Sequence, residues 1–406
     1  MSNSQVFSGN KGVKVKNDCF VSMELKHSGG VKLEIVSKVG AIYGEKIDKL
    51  CKEVLEYFEI ENAFINIEDT GAFDFVLAAR LEACVRQLKS VNKSFLPEFI
   101  EENRYTSKRD RTRYSRLYIP GNTPSMMINA GIYGANGIIL DLEDSVAPEK
   151  KDEARLLVRN ALRQVNFYGA ERMVRINQLP RGLDDLEEIV PNNVHVILVP
   201  KCESAEDITN VNNKINSIQK EKNINGEIFL MPIIESALGV IRAYEIATSA
   251  SNVVAVAIGL EDYSSDIGVD RSKDGIESQY ARSYLVNACK AAGIQPIDSV
   301  FSDFQDIEGF TQSVTKSKLL GFEGVGCIHP NQIKIIHKCF IPSDNQIKKA
   351  KAIARAYEQA MENGLGVVAL GSKMIDAPVV KRATQLIDRT IALGLVSENW
   401  RDENDK

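Results

Sequence analysis

The stretch Gly137-Ile138-Ile139-Leu140-Asp141-Leu142-Glu143-Asp144 is a short apolar run ending in a cluster of carboxylates, and between residues 115 and 330 that device occurs eight times. The other runs are Arg116–Pro120, Arg172–Asn177, Val194–Lys201, Glu227–Glu235, Val253–Asp262, Gln295–Asp303 and Phe322–Pro330. Each has the length of a strand and is rich in Val, Ile and Leu, with an amphipathic helical stretch before the next. The alternation predicts an α/β chain built on a (β/α)8 TIM barrel. Chemistry in such a barrel gathers at the C-terminal ends of the strands, where Arg175, Lys201, Glu235, Asp262 and Asp303 fall.

The chain of 406 residues is too long for one barrel alone, and its length suggests two or three domains. Residues 1–90 do not follow the barrel rhythm. Val31–Val36 alternates as a strand should, Lys46–Phe58 is amphipathic, Ala63–Glu68 is a second strand, and Thr70-Gly71 turns the chain into a helix over Phe73–Leu88. This is a small α+β domain. Residues 91–113, polar, charge-rich and containing Pro97, read as a linker; the barrel is placed at 114–345 and a C-terminal helical segment at 346–406.

Bulk properties exclude several classes. The net charge is -5 and the pI near 5.7, with no basic run for nucleic acid. No stretch of about 18 apolar residues reads as a membrane span, and the start, MSNSQVFSGNKGVKVKND, has no apolar core of a signal peptide. A cytoplasmic location is expected. The seven cysteines contain no CxxC pair, and the four histidines, His27, His195, His329 and His337, have no i, i+4 pair. Reduced thiols are expected, with neither a disulfide frame nor a zinc site.

Glu235, in Pro232-Ile233-Ile234-Glu235-Ser236, and Asp262, in Gly259-Leu260-Glu261-Asp262-Tyr263, close the fifth and sixth runs. Neighbouring strand ends would bring both carboxylates into one mouth, a donor set that suits Mg2+ with water and substrate oxygens completing an octahedron. Such an ion could hold a 2-keto acid and polarise its carbonyl. Capping of the following helices is the other reading of the pair. Arg175 faces the same mouth, where its guanidinium either grips a substrate carboxylate or pairs with Asp141 or Glu143. Glu143 and Asp144 either support the metal waters and Arg175 or, with Ser145, start the helix Pro148–Arg163.

These motifs resemble a known family. Arg116-Leu117-Tyr118-Ile119-Pro120-Gly121, Leu140-Asp141-Leu142-Glu143-Asp144-Ser145-Val146, Val174-Arg175-Ile176-Asn177, Ile234-Glu235-Ser236 and Gly259-Leu260-Glu261-Asp262-Tyr263 are similar to the citrate lyase β subunit of the HpcH/HpaI aldolase/citrate lyase family. The likeness continues through Ile328-His329-Pro330-Asn331-Gln332 and Gly364-Leu365-Gly366-Val367-Val368 to Met374-Ile375-Asp376-Ala377-Pro378. It implies a Mg2+-dependent carbon–carbon lyase acting on a citryl-type thioester. It also implies that Asp376 serves as acid/base in the site of a neighbouring subunit, so that the chain is at least a dimer and by analogy a trimer. Arg116, Lys151 and Arg155 are placed by the same likeness around the thioester entry, where they would contact phosphates of the carrier.

The front domain resembles the citrate lyase acyl carrier protein, the γ subunit, through Leu25-Lys26-His27-Ser28-Gly29-Gly30-Val31, Asp69-Thr70-Gly71-Ala72-Phe73-Asp74 and Ala79-Arg80-Leu81-Glu82-Ala83. Ser28 matches the serine that carries a dephospho-CoA-derived prosthetic group of the phosphoribosyl-dephospho-CoA type. The sequence departs from the family where Gly30 replaces an acidic residue and Lys26-His27 an acidic context. A carrier tethered by Lys89–Arg113 would raise the effective concentration of thioester at the mouth. An acyl-transferase resembling the citrate lyase α subunit is then an expected partner. The alternatives are a citramalyl- or malyl-thioester lyase and a non-catalytic carrier scaffold.

Overall fold

The computed structural model describes residues 5–364, 368–370 and 373–401. The chain forms two compact units, Met1–His337 and Lys338–Lys406.

The first unit begins with a four-stranded sheet of β1 (Val6–Ser8), β2 (Cys19–Leu25), β3 (Val31–Ser37) and β4 (Ala63–Asp69), in the order β1-β2-β4-β3. Strand β3 runs parallel to β4 through the crossover helix α1 (Gly40–Tyr57), and the other pairings are antiparallel. Alternation explains the buried face: Cys19, Val21 and Met23 of β2 and Ala63, Ile65 and Ile67 of β4 point the same way. Helices α1 and α2 (Asp74–Leu88) cover that face with Cys51, Val54, Leu77, Leu81 and Val85. The first two strands escaped the sequence reading because β1 has only three residues and polar Ser22 and Glu24 interrupt the apolar residues of β2.

Every residue of α2 from Phe75 to Val85 is buried, because its other side meets the barrel helix Lys151–Gln164. The charges on that side are paired. Arg80 donates to Asp18 at 3.0 and 2.9 Å and to Asn122 at 2.7 Å, with Glu153 at 3.2 Å. Arg159 donates to both oxygens of Glu82 at 2.9 and 2.7 Å. Removing one member of a buried pair leaves the other charge unpaired, at a cost of about 3–5 kcal/mol. Arg159→Ala leaves buried Glu82 with Arg86 at 2.7 Å as its remaining cation and is expected to destabilise the protein by about the lower end of that range; a denaturation midpoint unchanged from the parent would show that the pair is not buried in solution.

The stretch expected to hang as a tether lies against the barrel. Asn103 is fully buried and donates to Val165 O at 2.7 Å, His195 Nε2 lies 2.9 Å from Tyr105 O, and Arg172 stacks on the Tyr105 ring at 4.3 Å. Arg113 makes a two-bond pair with Glu171 at 2.7 and 2.8 Å. The polar composition that suggested free chain serves these hydrogen bonds instead.

The barrel strands are β5 (Ser115–Pro120), β6 (Gly137–Asp141), β7 (Glu171–Arg175), β8 (Val196–Val199), β9 (Phe229–Ile234), β10 (Ala255–Ile258), β11 (Gln295–Asp298) and β12 (Gly324–Cys327). All pair in parallel, and β12 returns to β5 to close the barrel. Ile139, Met173, Leu198, Phe229, Met231 and Ile297 fill the interior. All eight expected runs contain a strand, but most strands stop short of the polar end of the run. Asp303 is one consequence: it is exposed in a turn, its side chain accepting from Gln305 N at 3.1 Å and Asp306 N at 3.3 Å, and it does not enter the mouth.

The second unit packs helices Asp344–Glu362 and Ala377–Ala392 through Ala350, Ala354, Ala383, Ile387 and Trp400. The antiparallel hairpin of β13 (Val368–Leu370) and β14 (Lys373–Ile375) lies between them in sequence. Residues 365–367 of the glycine-rich motif, and Gly371 and Ser372, lie outside the described residues. Among the described residues no helix is long and apolar enough to cross a membrane.

Candidate active site

The C-terminal ends of the strands surround a cavity of about 750 Å³, whose walls include Arg116, Tyr118, Asp141, Asp144, Arg175, Glu235 and Asp262. Arg175, the last residue of β7, donates from Nε and Nη2 to Asp141 at 2.6 and 2.7 Å, and its Nη1 lies 2.9 Å from Glu143 and 3.4 Å from Asp144. The Tyr118 ring lies 5.3 Å from its guanidinium carbon. Burial alone would lower the Arg175 pKa, but Asp141 outweighs it and holds the guanidinium charged. Burial would likewise raise Asp141, and Arg175 reverses that. Asp141 also accepts from Glu143 N and Ser145 N at 3.0 and 3.2 Å. It therefore shapes the loop itself, and the helix Lys151–Gln164 begins with no side-chain cap.

Glu235 follows β9 and is 6% exposed. Its Oε2 accepts from Lys201 N at 2.9 Å, and a Cβ on Gly259 would stand 2.3 Å from Oε1. The bare glycine leaves the carboxylate its place. Asp262 lies in the helix Leu260–Asp266, four residues past the last strand residue Ile258, and still lines the cavity. Lys201, in the left-handed region at φ 48°, places Nζ 3.5 Å from Asp262 and 3.7 Å from Glu143.

Burial pushes the Glu235 carboxyl up to about 7, with Glu143 and Asp262 adding to the shift and Lys201 N–H and Arg175 opposing it. Burial also raises Glu143, whose Oε2 lies 2.9 Å from Arg175 Nη1. Two buried carboxyl groups that resist ionisation, Glu235 and Glu143, favour a cation beside them. Among the described residues no three carboxylate, imidazole or thiolate groups converge as a closed cage. An ion held by Glu235 and Asp262 would keep most of its shell for water and substrate, as Mg2+ does. Gly259→Ala should weaken Mg2+ binding about 10- to 100-fold by displacing Glu235; unaltered affinity in calorimetric titration would show that Glu235 does not need that space.

The remaining expected residues are dispersed. Lys151 donates to Leu142 O and Glu143 O at 3.1 and 2.9 Å and to Asn177, and Arg155 pairs with Asp185 at 2.7 Å and Asp152 at 3.2 Å. Lys151 thereby holds the loop that follows β6, and Arg155 holds the helix Gly182–Ile189. Arg116 lies inside the barrel, 1% exposed. Ser28 is exposed in the turn between β2 and β3, followed by Gly29 at φ 106° and Gly30 at φ 75°. Asp376 caps the helix Ala377–Ala392, accepting from Val379 N at 3.2 Å. Tyr118 and Gly259 were not singled out in the sequence, since their roles depend on which strands are neighbours.

Fold and mouth together define a (β/α)8 protein with an acidic, cation-ready site. Residues 114–330 match the family model HpcH/HpaI aldolase/citrate lyase, and residues 9–88 match the acyl carrier model described as malonate decarboxylase delta subunit. The citrate lyase subunit beta of Escherichia coli K12 is 37% identical over 294 residues, 72% of this chain and 97% of that protein. The mitochondrial citramalyl-CoA lyase of Homo sapiens is 32% identical over 68% of this chain and 84% of its own length. The crystal structure of CitE from Mycobacterium tuberculosis with magnesium, acetoacetate and coenzyme A superposes with a TM-score of 0.58 at 27% identity, covering 70% of this chain and 99% of that one. The chain belongs to the HpcH/HpaI aldolase/citrate lyase family and carries an acyl-carrier-like domain in front of it.

Proposed function

We propose that the protein is a Mg2+-dependent carbon–carbon lyase that converts a citryl thioester, on its own carrier domain or on coenzyme A, to oxaloacetate and an acetyl thioester. The observation that carries this reading is the buried Glu235 carboxylate, seated over Gly259 in the same cavity as Asp262 and Arg175. The relative crystallised with magnesium and coenzyme A supports the ion and the thioester.

Glu235 and Asp262 would hold a divalent cation, which would supply Lewis acidity to the substrate's oxygens when bound. Arg175, fixed by Asp141, offsets negative charge on a substrate carboxylate or the thioester oxygen. Cleavage takes the proton from the tertiary hydroxyl, breaks the adjoining carbon–carbon bond and returns a proton to the methylene carbon of the leaving thioester. Asp376 is assigned that last transfer, in the barrel of a neighbouring subunit. Mixing inactive Asp376→Asn protein with inactive Glu235→Ala protein should then restore part of the activity; verified mixed oligomers that stay inactive would mean that each site is complete within one chain.

Ser28 is assigned the phosphoribosyl-dephospho-CoA-type group, a citrate lyase α-like acyl-transferase the loading step, and a homo-trimer the assembly. The family relatives also include lyases of citramalyl-CoA and malyl-CoA, so product identity decides the substrate. Incubation with citryl-, citramalyl- and malyl-CoA should release oxaloacetate fastest; release of pyruvate or glyoxylate in preference would reassign the substrate, and no keto acid from any of them would favour a carrier scaffold.

A further inference from the structure

We infer that Arg116, on the floor of the barrel cavity, receives the carboxylate that a citryl group has and a citramalyl group lacks. The inference rests on the lyase reading above and names what selects its substrate. Arg116 is the second residue of β5, and its ladder neighbours are Gly137 on β6 and Gly326 on β12. Gly137 lies alongside the Arg116 stem, an added Cβ there standing 3.5 Å from Arg116 Cγ, and a charged side chain is unusual among the branched apolar residues that fill barrels of this kind. The side chain is 1% exposed, lines the same cavity as Glu235 and Arg175, and has no carboxylate partner among the described residues.

Its hydrogen bonding is poor. Among the described residues Nη1 donates to Met231 Sδ at 3.1 Å, a weak acceptor, and Nε finds no acceptor. The carboxylate of Glu171 is already engaged by both Arg113 nitrogens. Burial pulls the Arg116 pKa down to about 10, still above physiological pH, so the cation stays charged. A buried cation without a counter-ion is costly, and a ligand anion entering the cavity would relieve that cost. Citryl and citramalyl thioesters share the hydroxyl, one carboxylate and the thioester arm. They differ in one group: citryl has a carboxymethyl where citramalyl has a methyl. The methyl would leave the guanidinium unpaired, whereas the carboxymethyl would give it a bidentate partner. A buried group matched to a polar substrate group rejects the analogue that lacks it.

The test compares kcat/KM for citryl-CoA and citramalyl-CoA in the parent, Arg116→Met and Arg116→Lys. The citryl-to-citramalyl ratio should fall about 10²- to 10⁴-fold in Arg116→Met and less in Arg116→Lys, which keeps the charge but loses the fork. An unchanged ratio, with both substrates falling together or neither falling, would overturn the assignment. The full-length parent offers a second measurement that does not depend on a variant folding. With Mg2+ present, oxaloacetate should raise its thermal midpoint more than equal pyruvate, and the reverse order would also overturn the assignment. If the parent cleaves neither thioester, the lyase reading fails first, and that outcome is distinct from a cleavage whose ratio ignores Arg116.

Discussion

Glu235→Ala and Asp262→Ala should each lower turnover about 10³-fold or more and remove the response to Mg2+ while leaving the fold intact. With Glu235 and Asp262 as the two carboxylates assigned to the ion, losing one leaves too few hard oxygens to hold it against water. The two variants should differ in their pH behaviour. In the parent the Glu235 carboxyl is held up to about 7 by burial, so Mg2+ affinity should decline as pH falls through 7 and binding near neutrality should release protons. Without metal the sign is opposite for folding: the protonated carboxyl favours the folded state below its ordinary value near 4.5, and that contribution is lost as pH rises through about 7. Asp262→Ala should keep this slope and Glu235→Ala should lose it. Calorimetric titration that finds Mg2+ affinity unchanged in both variants would remove the pair from the metal site.

The barrel was legible because each strand is an apolar run and a helix separates it from the next, a pattern that local sequence carries by itself. The polar ends were less so. A run such as Val253–Asp262 continues past the last ladder residue, Ile258, into a helix that begins at Leu260, and nothing in the composition marks where pairing stops. Glu235 and Asp262 could be named since each ends such a run. Gly259 could not, because its role is the space it leaves for a carboxylate on the next strand. Arg116 was taken for an entry residue, and only the register that puts Gly137 and Gly326 beside it shows a side chain directed inward. The carrier interface was hidden for a related reason. Arg80, Glu82 and Arg159 look like surface charges until their partners, far away in sequence, are known.

Ser28→Ala should abolish lysis of carrier-bound substrate and leave cleavage of free citryl-CoA close to that of the parent. Ser28 stands on an exposed turn of the small sheet, with two glycines after it in the left-handed region, and has no place in the cavity walls. The opposite end of that sheet is the one joined to the barrel: Arg80 donates to both Asp18 and Asn122 there, and Gly9 N donates to Glu153 at 3.0 Å. The turn is therefore turned away from the interface, and substitution there disturbs neither the buried charges nor the mouth. An attached arm would supply only the advantage of effective concentration, which a thioester delivered from solution at sufficient concentration replaces. Two results bear on different parts of this account. A native mass equal to the bare polypeptide, from cells able to make the prosthetic group, would remove Ser28 as an attachment point and leave the lyase assignment standing. Equal loss of both activities in Ser28→Ala would instead place the serine in the fold or in the lyase site, contrary to its exposed position at the far end of the sheet.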